Sequence, residues 1–152
     1  MNEAGSLTKA QLRLERLALR DALSVEDRQT KSLAMAQLGA QALSFSPGTI
    51  VSGFMPIRSE ADTRPLMEAL RDKGATLCLP VMLDRETIVF REFLRGAELV
   101  KTGFGTKGPE ESAAVLDPQI LLVPLSAFDG SGQRIGYGAG HYDRAIARLH
   151  AK

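Results

Sequence analysis

Helix starts alternate with short apolar runs along this chain, and that alternation constrains its fold more than any other feature. Ser6 or Thr8 can cap a helix running to about residue 23, with Leu14, Leu17 and Ala18 on one face and Leu12, Leu19 and Leu23 widening the apolar surface. Ser24 followed by Glu26 and Asp27 reads as an N-cap with an acidic first turn. Leu33, Met35, Ala36, Leu38 and Leu43 supply the apolar surface of that second helix, which Pro47-Gly48 ends. Residues 49–55 form a first strand, closed by Pro56, and residues 57–62 a polar connection. Thr63 caps a third helix with Pro65 near its first turn; Lys73-Gly74 ends it. Residues 76–81 are a short apolar strand suited to a parallel interior, and residues 87–93 alternate as expected nearer an edge. Residues 94–116, rich in glycine and charge, read as a long surface excursion of the kind that is more often functional than idle. Residues 120–123 form a fourth, fully buried strand stopped by Pro124, and residues 142–149 begin a last helix. The order predicts an α/β layered fold with a mostly parallel sheet, in one domain. Ligands bind such sheets where loops leave the C-terminal strand ends, here after Met55 and after Val123.

The second of those loops carries the chemistry. Five glycines fall between Gly130 and Gly140, followed by the helical pattern. Glycine lets a ligand approach backbone N–H groups closely, and a helix N-terminus favours anions. The competing reading is a Gly-rich hairpin with solvated charges. Lys9, Arg13, Arg16 and Arg20 recur as one basic stripe on the first helix. Lys9 and Arg13 are its ligand candidates; Arg16 and Arg20 read as a solvated face near Glu15 and Asp21. Lys9, Arg13 and Arg134 are cations able to converge on a polyphosphate, and Asp143 is an oxygen ligand suited to magnesium. The pattern is neither a Walker A loop nor a dinucleotide fingerprint, since Gly136, Gly138 and Gly140 are evenly spaced by two. The residues by themselves therefore point to a Mg–nucleotide or a phosphorylated small-molecule site.

The remaining candidates narrow the chemistry. A carboxylate at Glu60 or Asp62 could accept two parallel N–H bonds from an aminopyrimidine edge, though Asp62 reads better as part of the helix cap near Thr63. His141 is placed to line the site and His150 on the surface of the last helix; neither reads as a catalytic base. Ser126 and Ser131 carry no nucleophile-elbow pattern. The single cysteine, Cys78, excludes an internal disulfide and reads as a small buried apolar group. A formal net charge of +1 gives no global argument for nucleic acid or an anionic membrane. The polar start of the chain is unlike a signal peptide, and no segment reaches the roughly 20 apolar residues of a membrane helix. A cytoplasmic monomer is expected.

An ordered set of motifs resembles the 5-formyltetrahydrofolate cyclo-ligase (methenyltetrahydrofolate synthetase) family. Lys9-Ala10-Gln11-Leu12-Arg13 looks like its N-terminal element, Glu60-Ala61-Asp62-Thr63 its acidic element, and Leu79-Pro80 its mid-chain strand. The segment from Val123 through Gly132-Gln133-Arg134-Ile135-Gly136-Tyr137-Gly138-Ala139-Gly140-His141-Tyr142-Asp143-Arg144 looks like its signature. The resemblance implies a three-layer αβα fold shared with sugar-phosphate isomerases and CoA transferases. It implies ATP-dependent closure of 5-formyltetrahydrofolate to 5,10-methenyltetrahydrofolate, with release of ADP and phosphate and without a protein nucleophile. Lys9, Arg13 and the segment Arg134, Ile135, Gly136, Tyr137, Gly138, Ala139, Gly140, His141 and Tyr142 would then bind ATP, with Arg134 and Lys9 acting on the transferred phosphate. Met55, Glu60 and the stretch Tyr137, Gly138, Ala139, Gly140 and His141 would face the folate, and Asp143 would hold Mg2+. His141 stands where the family has Tyr or Phe. The family pattern continues past residue 152 with a further βα unit bearing a second acidic metal ligand, so residues 1–152 read as a single cyclo-ligase-like domain without that unit. The alternative is a non-catalytic folate- or nucleotide-binding protein of the same fold; a third reading is kinase-like or isomerase chemistry on a related scaffold.

Overall fold

A computed structural model of the chain describes residues 8–103, 106–136 and 140–151. Four helices are present among these: α1 (Lys9–Asp21), α2 (Val25–Ala42), α3 (Arg64–Asp72) and α4 (His141–His150). The strands are β1 (Ile50–Ser52), β2 (Thr76–Met82), β3 (Ile88–Glu92), β4 (Val100–Gly103), β5 (Thr106–Gly108), β6 (Val115–Leu116), β7 (Ile120–Leu121), β8 (Ala127–Phe128) and β9 (Arg134–Ile135). Five of them form the central sheet in the order β6-β3-β2-β1-β7. Its heart is parallel: β1 pairs β2 with Ser52 opposite Cys78, and β7 on its other side with Val51 opposite Ile120. On the far flank β3 turns back against β2, and β6 against β3, both antiparallel.

Alternation along the strands divides the core. Val51, Leu77 and Leu79 face α2 and α3, where Ala36, Leu66, Met67 and Leu70 meet them. Cys78, Ile88 and Phe90 face the other way, toward Ala145 of α4. Helices therefore cover both faces of the sheet. The local signals behave as the chain chemistry requires. Thr8 closes a capping box with Gln11, and the Ser24 side chain accepts the Asp27 N–H. Thr63 stands at the N-cap of α3 but turns its hydroxyl to the Phe54 carbonyl instead. Ser6 lies outside the described residues.

Several expectations are corrected. Leu14 is 71% exposed and Leu19 also faces solvent, so within α1 only Leu12 and Leu17 of the expected apolar surface are half-buried. Two residues of the basic stripe share that inner side: the Arg13 Nε donates to the Gly136 carbonyl at 2.8 Å and the Arg20 Nε to the Ser59 hydroxyl at 2.8 Å. Arg20 is thus not part of a solvated face, whereas Arg16 is, with the Glu15 carboxylate 3.9 Å away. On α2 the inner face is small: Ser32, Ala36 and Gly39 recur at four- and three-residue spacing, and a Cβ on Gly39 would stand 3.0 Å from Leu66. That close approach to α3 turns Leu33 and Leu38 outward. Residues 94–116 are not a plain excursion, since they hold the β4–β5 hairpin and β6. Residues 120–121 form an outer, half-buried strand rather than a fully buried one.

Cys78 is fully buried, and that burial pushes its thiol up from 9.0 to about 12. The thiol is neutral in both states below about pH 9. Above it the unfolded chain releases a proton that the folded chain retains, so stability falls as pH climbs toward about 12. An aromatic disulfide reagent at pH 8 is expected to leave Cys78 unmodified in the native protein and to modify it after denaturation. Rapid native modification would contradict its burial.

Candidate functional site

One cavity of about 800 Å³ opens above the sheet, between α1, the segment after β1, the β4–β5 hairpin and the N-terminal end of α4. Lys9 and Arg13 reach it from the first turns of α1. Arg134, Ile135 and Gly136 enter it from β9, and Gly140, His141, Tyr142 and Asp143 from the start of α4. Met55 and Glu60 line it beside Phe54, Pro56 and Ile57. Chain positions more than a hundred residues apart thus share a single site. Tyr137, Gly138 and Ala139 lie outside the described residues. The cavity volume suits a small-molecule ligand, with an apolar wall and a few convergent polar groups.

The glycine segment holds a hairpin and then a helix start. Its first part is a hairpin: β8 pairs β9 with Phe128 opposite Arg134. The Asp129 carboxylate ties the turn by accepting the Ser131 hydroxyl at 2.7 Å, the Ser131 N–H at 2.9 Å and the Gln133 N–H at 3.0 Å. The Ser131 hydroxyl and those amides hold the Asp129 carboxyl below the usual range. The Ser126 hydroxyl donates to the Ile135 carbonyl at 2.9 Å, a structural role in keeping with the absence of a nucleophile pattern. Its last part is a helix start. Gly140 caps α4 at φ 72°, where a side chain would be strained and would press on Arg144. The first-turn N–H groups of a helix lack intrahelical partners and carry the positive end of its dipole.

Electrostatics concentrate at that helix start. The Arg134 Nη2 lies 2.6 Å from the Asp143 Oδ1; the arginine side chain is 27% exposed and the aspartate 78%. Asp143 is the only carboxylate of α4, and it stands in the first turn. No cluster of three metal-ligating side chains occurs among the described residues. A magnesium ion needs only one or two carboxylates when phosphate oxygens supply the rest, so an exposed Asp143 at the cavity edge fits that donor set. Deeper in, the His141 Nε2 and the Tyr142 Oη are buried and have no hydrogen-bond partner among the described residues. Buried polar atoms are almost always satisfied, so these two cavity-lining atoms are able to bond a ligand. Burial, with the Glu60 carboxylate adding to it, pushes the Tyr142 hydroxyl up, keeping it a donor.

The two acidic candidates separate. Asp62 spends both oxygens on Arg64, at 2.8 Å each, and also accepts the Arg64 N–H at 3.0 Å. Arg64 holds its carboxyl below the usual range against the opposing effect of burial. It belongs to the start of α3, as the capping reading has it. Glu60 lines the cavity, and its Oε1 accepts the Ile57 N–H at 2.7 Å. Sequence reasoning missed Leu99, Thr106 and Lys107, which line the cavity from the β4–β5 region. Their only signal was the glycine- and charge-rich composition of residues 94–116.

The model of the 5-formyltetrahydrofolate cyclo-ligase family matches residues 6–152. The chain is 31% identical over 137 residues to the 5-formyltetrahydrofolate cyclo-ligase of Escherichia coli, a match covering 84% of this chain and 73% of that one. It is 31% identical over 107 residues to the Mycolicibacterium smegmatis 5-formyltetrahydrofolate cyclo-ligase, covering 65% of this chain and 55% of that one. Among solved structures, the Aquifex aeolicus 5,10-methenyltetrahydrofolate synthetase superposes with a TM-score of 0.74 at 28% identity, covering 93% of this chain and 73% of that one. A Mycoplasma pneumoniae 5,10-methenyltetrahydrofolate synthetase shares the fold, with a TM-score of 0.72 at 22% identity over 93% of this chain and 79% of that one. A family match over residues 6–152, with a relative 31% identical over 84% of the chain, means that the chain belongs to the 5-formyltetrahydrofolate cyclo-ligase family.

Proposed function

We propose that the protein closes 5-formyltetrahydrofolate to 5,10-methenyltetrahydrofolate at the expense of ATP. One observation carries this reading: Lys9, Arg13 and Arg134 meet in a single cavity that also holds Glu60 and an apolar wall. Such a cavity can accept a polyphosphate and an aromatic heterocycle side by side. The folate formyl oxygen attacks the γ-phosphorus, and the bond to the β-phosphate oxygen breaks to release ADP. The second folate nitrogen then attacks the formyl carbon and gives up its proton, and the carbon–oxygen bond breaks to release phosphate, which carries that proton away. No protein nucleophile is needed. Positioning and charge neutralisation are what phosphoryl transfer asks of its residues.

Arg134 and Lys9 neutralise charge on the transferred phosphoryl group, and Arg13 orients the polyphosphate. The segment Ile135, Gly136, Tyr137, Gly138, Ala139, Gly140, His141 and Tyr142 borders the nucleotide. Met55, Glu60 and residues 137–141 face the folate, whose aminopyrimidine edge donates to the Glu60 carboxylate. Asp143 holds Mg2+, which when bound supplies charge compensation to the phosphates. The fold is of the type shared with sugar-phosphate isomerases and CoA transferases, and residues 1–152 act as one cyclo-ligase-like domain. The protein works as a cytoplasmic monomer without nucleic-acid or membrane partners; no described helix is long and apolar enough to cross a membrane. Calorimetric titration with 5-formyltetrahydrofolate and, separately, with Mg–ATP tests the site: both are expected to bind, and heat from neither would refute the reading.

A further inference from the structure

We propose that Ser59, clamped by Asp21 and Arg20 at the end of α1, is a positioning residue that sets the Glu60 carboxylate for 5-formyltetrahydrofolate. The inference rests on the function proposed above. Glu60 sits on a tight turn whose shape is unusual. Its N–H bonds the Ile57 carbonyl at 3.2 Å while its own carboxylate accepts the Ile57 N–H. Inside that turn Arg58 has φ 57°, the only positive φ at a non-glycine among the described residues. Such a conformation persists when surrounding contacts over-determine it.

The next residue supplies those contacts. Ser59 is 6% exposed, and its hydroxyl is held from both sides. It accepts from the Arg20 Nε at 2.8 Å and donates to the Asp21 Oδ1. Asp21 is the last residue of α1, where a negative charge opposes the helix dipole. The aspartate therefore does not serve its own helix; its bond is to the turn. At its other end α1 holds the Gly136 carbonyl through Arg13. No residue of α1 is buried, so polar bonds from one helix tie down both walls of the cavity. Loosening the Ser59 end should disturb the folate wall and leave the nucleotide wall in place.

Ser59→Ala and Asp21→Ala test this, the second at an exposed helix end where folding is safe. Each is expected to raise KM for 5-formyltetrahydrofolate about five- to tenfold, with kcat and KM for ATP changed by less than about twofold. The double variant should be no worse than either single one, because both remove the same bond. Asp21→Asn keeps an acceptor oxygen and should restore the KM. An unchanged folate KM in both alanine variants of an active protein would overturn the clamp alone, as would an equal rise in both KM values. A wild-type protein that never makes methenyltetrahydrofolate would remove the function reading and the clamp with it.

Discussion

Arg134→Ala is expected to lower kcat/KM on the order of a hundredfold to a thousandfold, the loss typical of removing a preorganised charge from a transition state. Its effect on stability should be small. Among the described residues the side-chain partner of Arg134 is Asp143, which is 78% exposed, and an ion pair so open to water contributes about 0–1 kcal/mol. For a domain of this size that is a shift in Tm of at most roughly 4 °C. The contrast follows from place: Arg134 lies at a cavity edge beside a helix N-terminus, away from both apolar clusters. Activity and Tm falling together, in proportion, would mean that Arg134 acts as a structural residue.

Phe90→Ala is expected to do the reverse. Phe90 has no exposed surface, lies between β2 and β6 on the sheet, and packs with Cys78, Ile88 and Ala145. Truncating it removes a whole ring from a closed cluster and should destabilise the protein by about 3–5 kcal/mol. The same cluster seats α4, whose first turn carries His141, Tyr142 and Asp143 into the cavity. Denaturant unfolding should show the loss as a lower midpoint, and ligand at saturating concentration should recover part of it. A midpoint within about 1 kcal/mol of wild type would contradict the packing described for that face.

What could be read from the sequence was local. Thr8 and Ser24 announce helix starts because an N-cap acts on an amide only three residues away. Cys78 reads as interior from its strand alone. The inner face of α1 is only partly legible: Leu12 and Leu17 are half-buried as their pattern suggests, but Arg13 and Arg20 share that side through their bonds. Those bonds run from Arg13 to Gly136 and from Arg20 to Ser59, separations of 123 and 39 residues. Nothing in a helical pattern encodes a partner that distant. The β4–β5 hairpin hid for a different reason: Gly103, Gly105 and Gly108 suggest a loop. Gly108 nonetheless sits in a strand close to Val81, where an added Cβ would stand 3.1 Å from its methyl group. Of the candidate site residues, Lys9, Arg13, Met55, Glu60, Arg134 and Asp143 do share one cavity. The Arg134–Asp143 pair was not foreseen, because the two had been assigned to separate ligands.

The most direct test of the central claim is the absorbance of methenyltetrahydrofolate, followed after mixing the protein with 5-formyltetrahydrofolate and Mg–ATP. The absorbance is expected to rise with ATP, to stay flat without it, and to rise in step with release of ADP. A protein that binds both ligands yet never produces that absorbance would contradict the cyclo-ligase reading and leave a binding protein on the same fold.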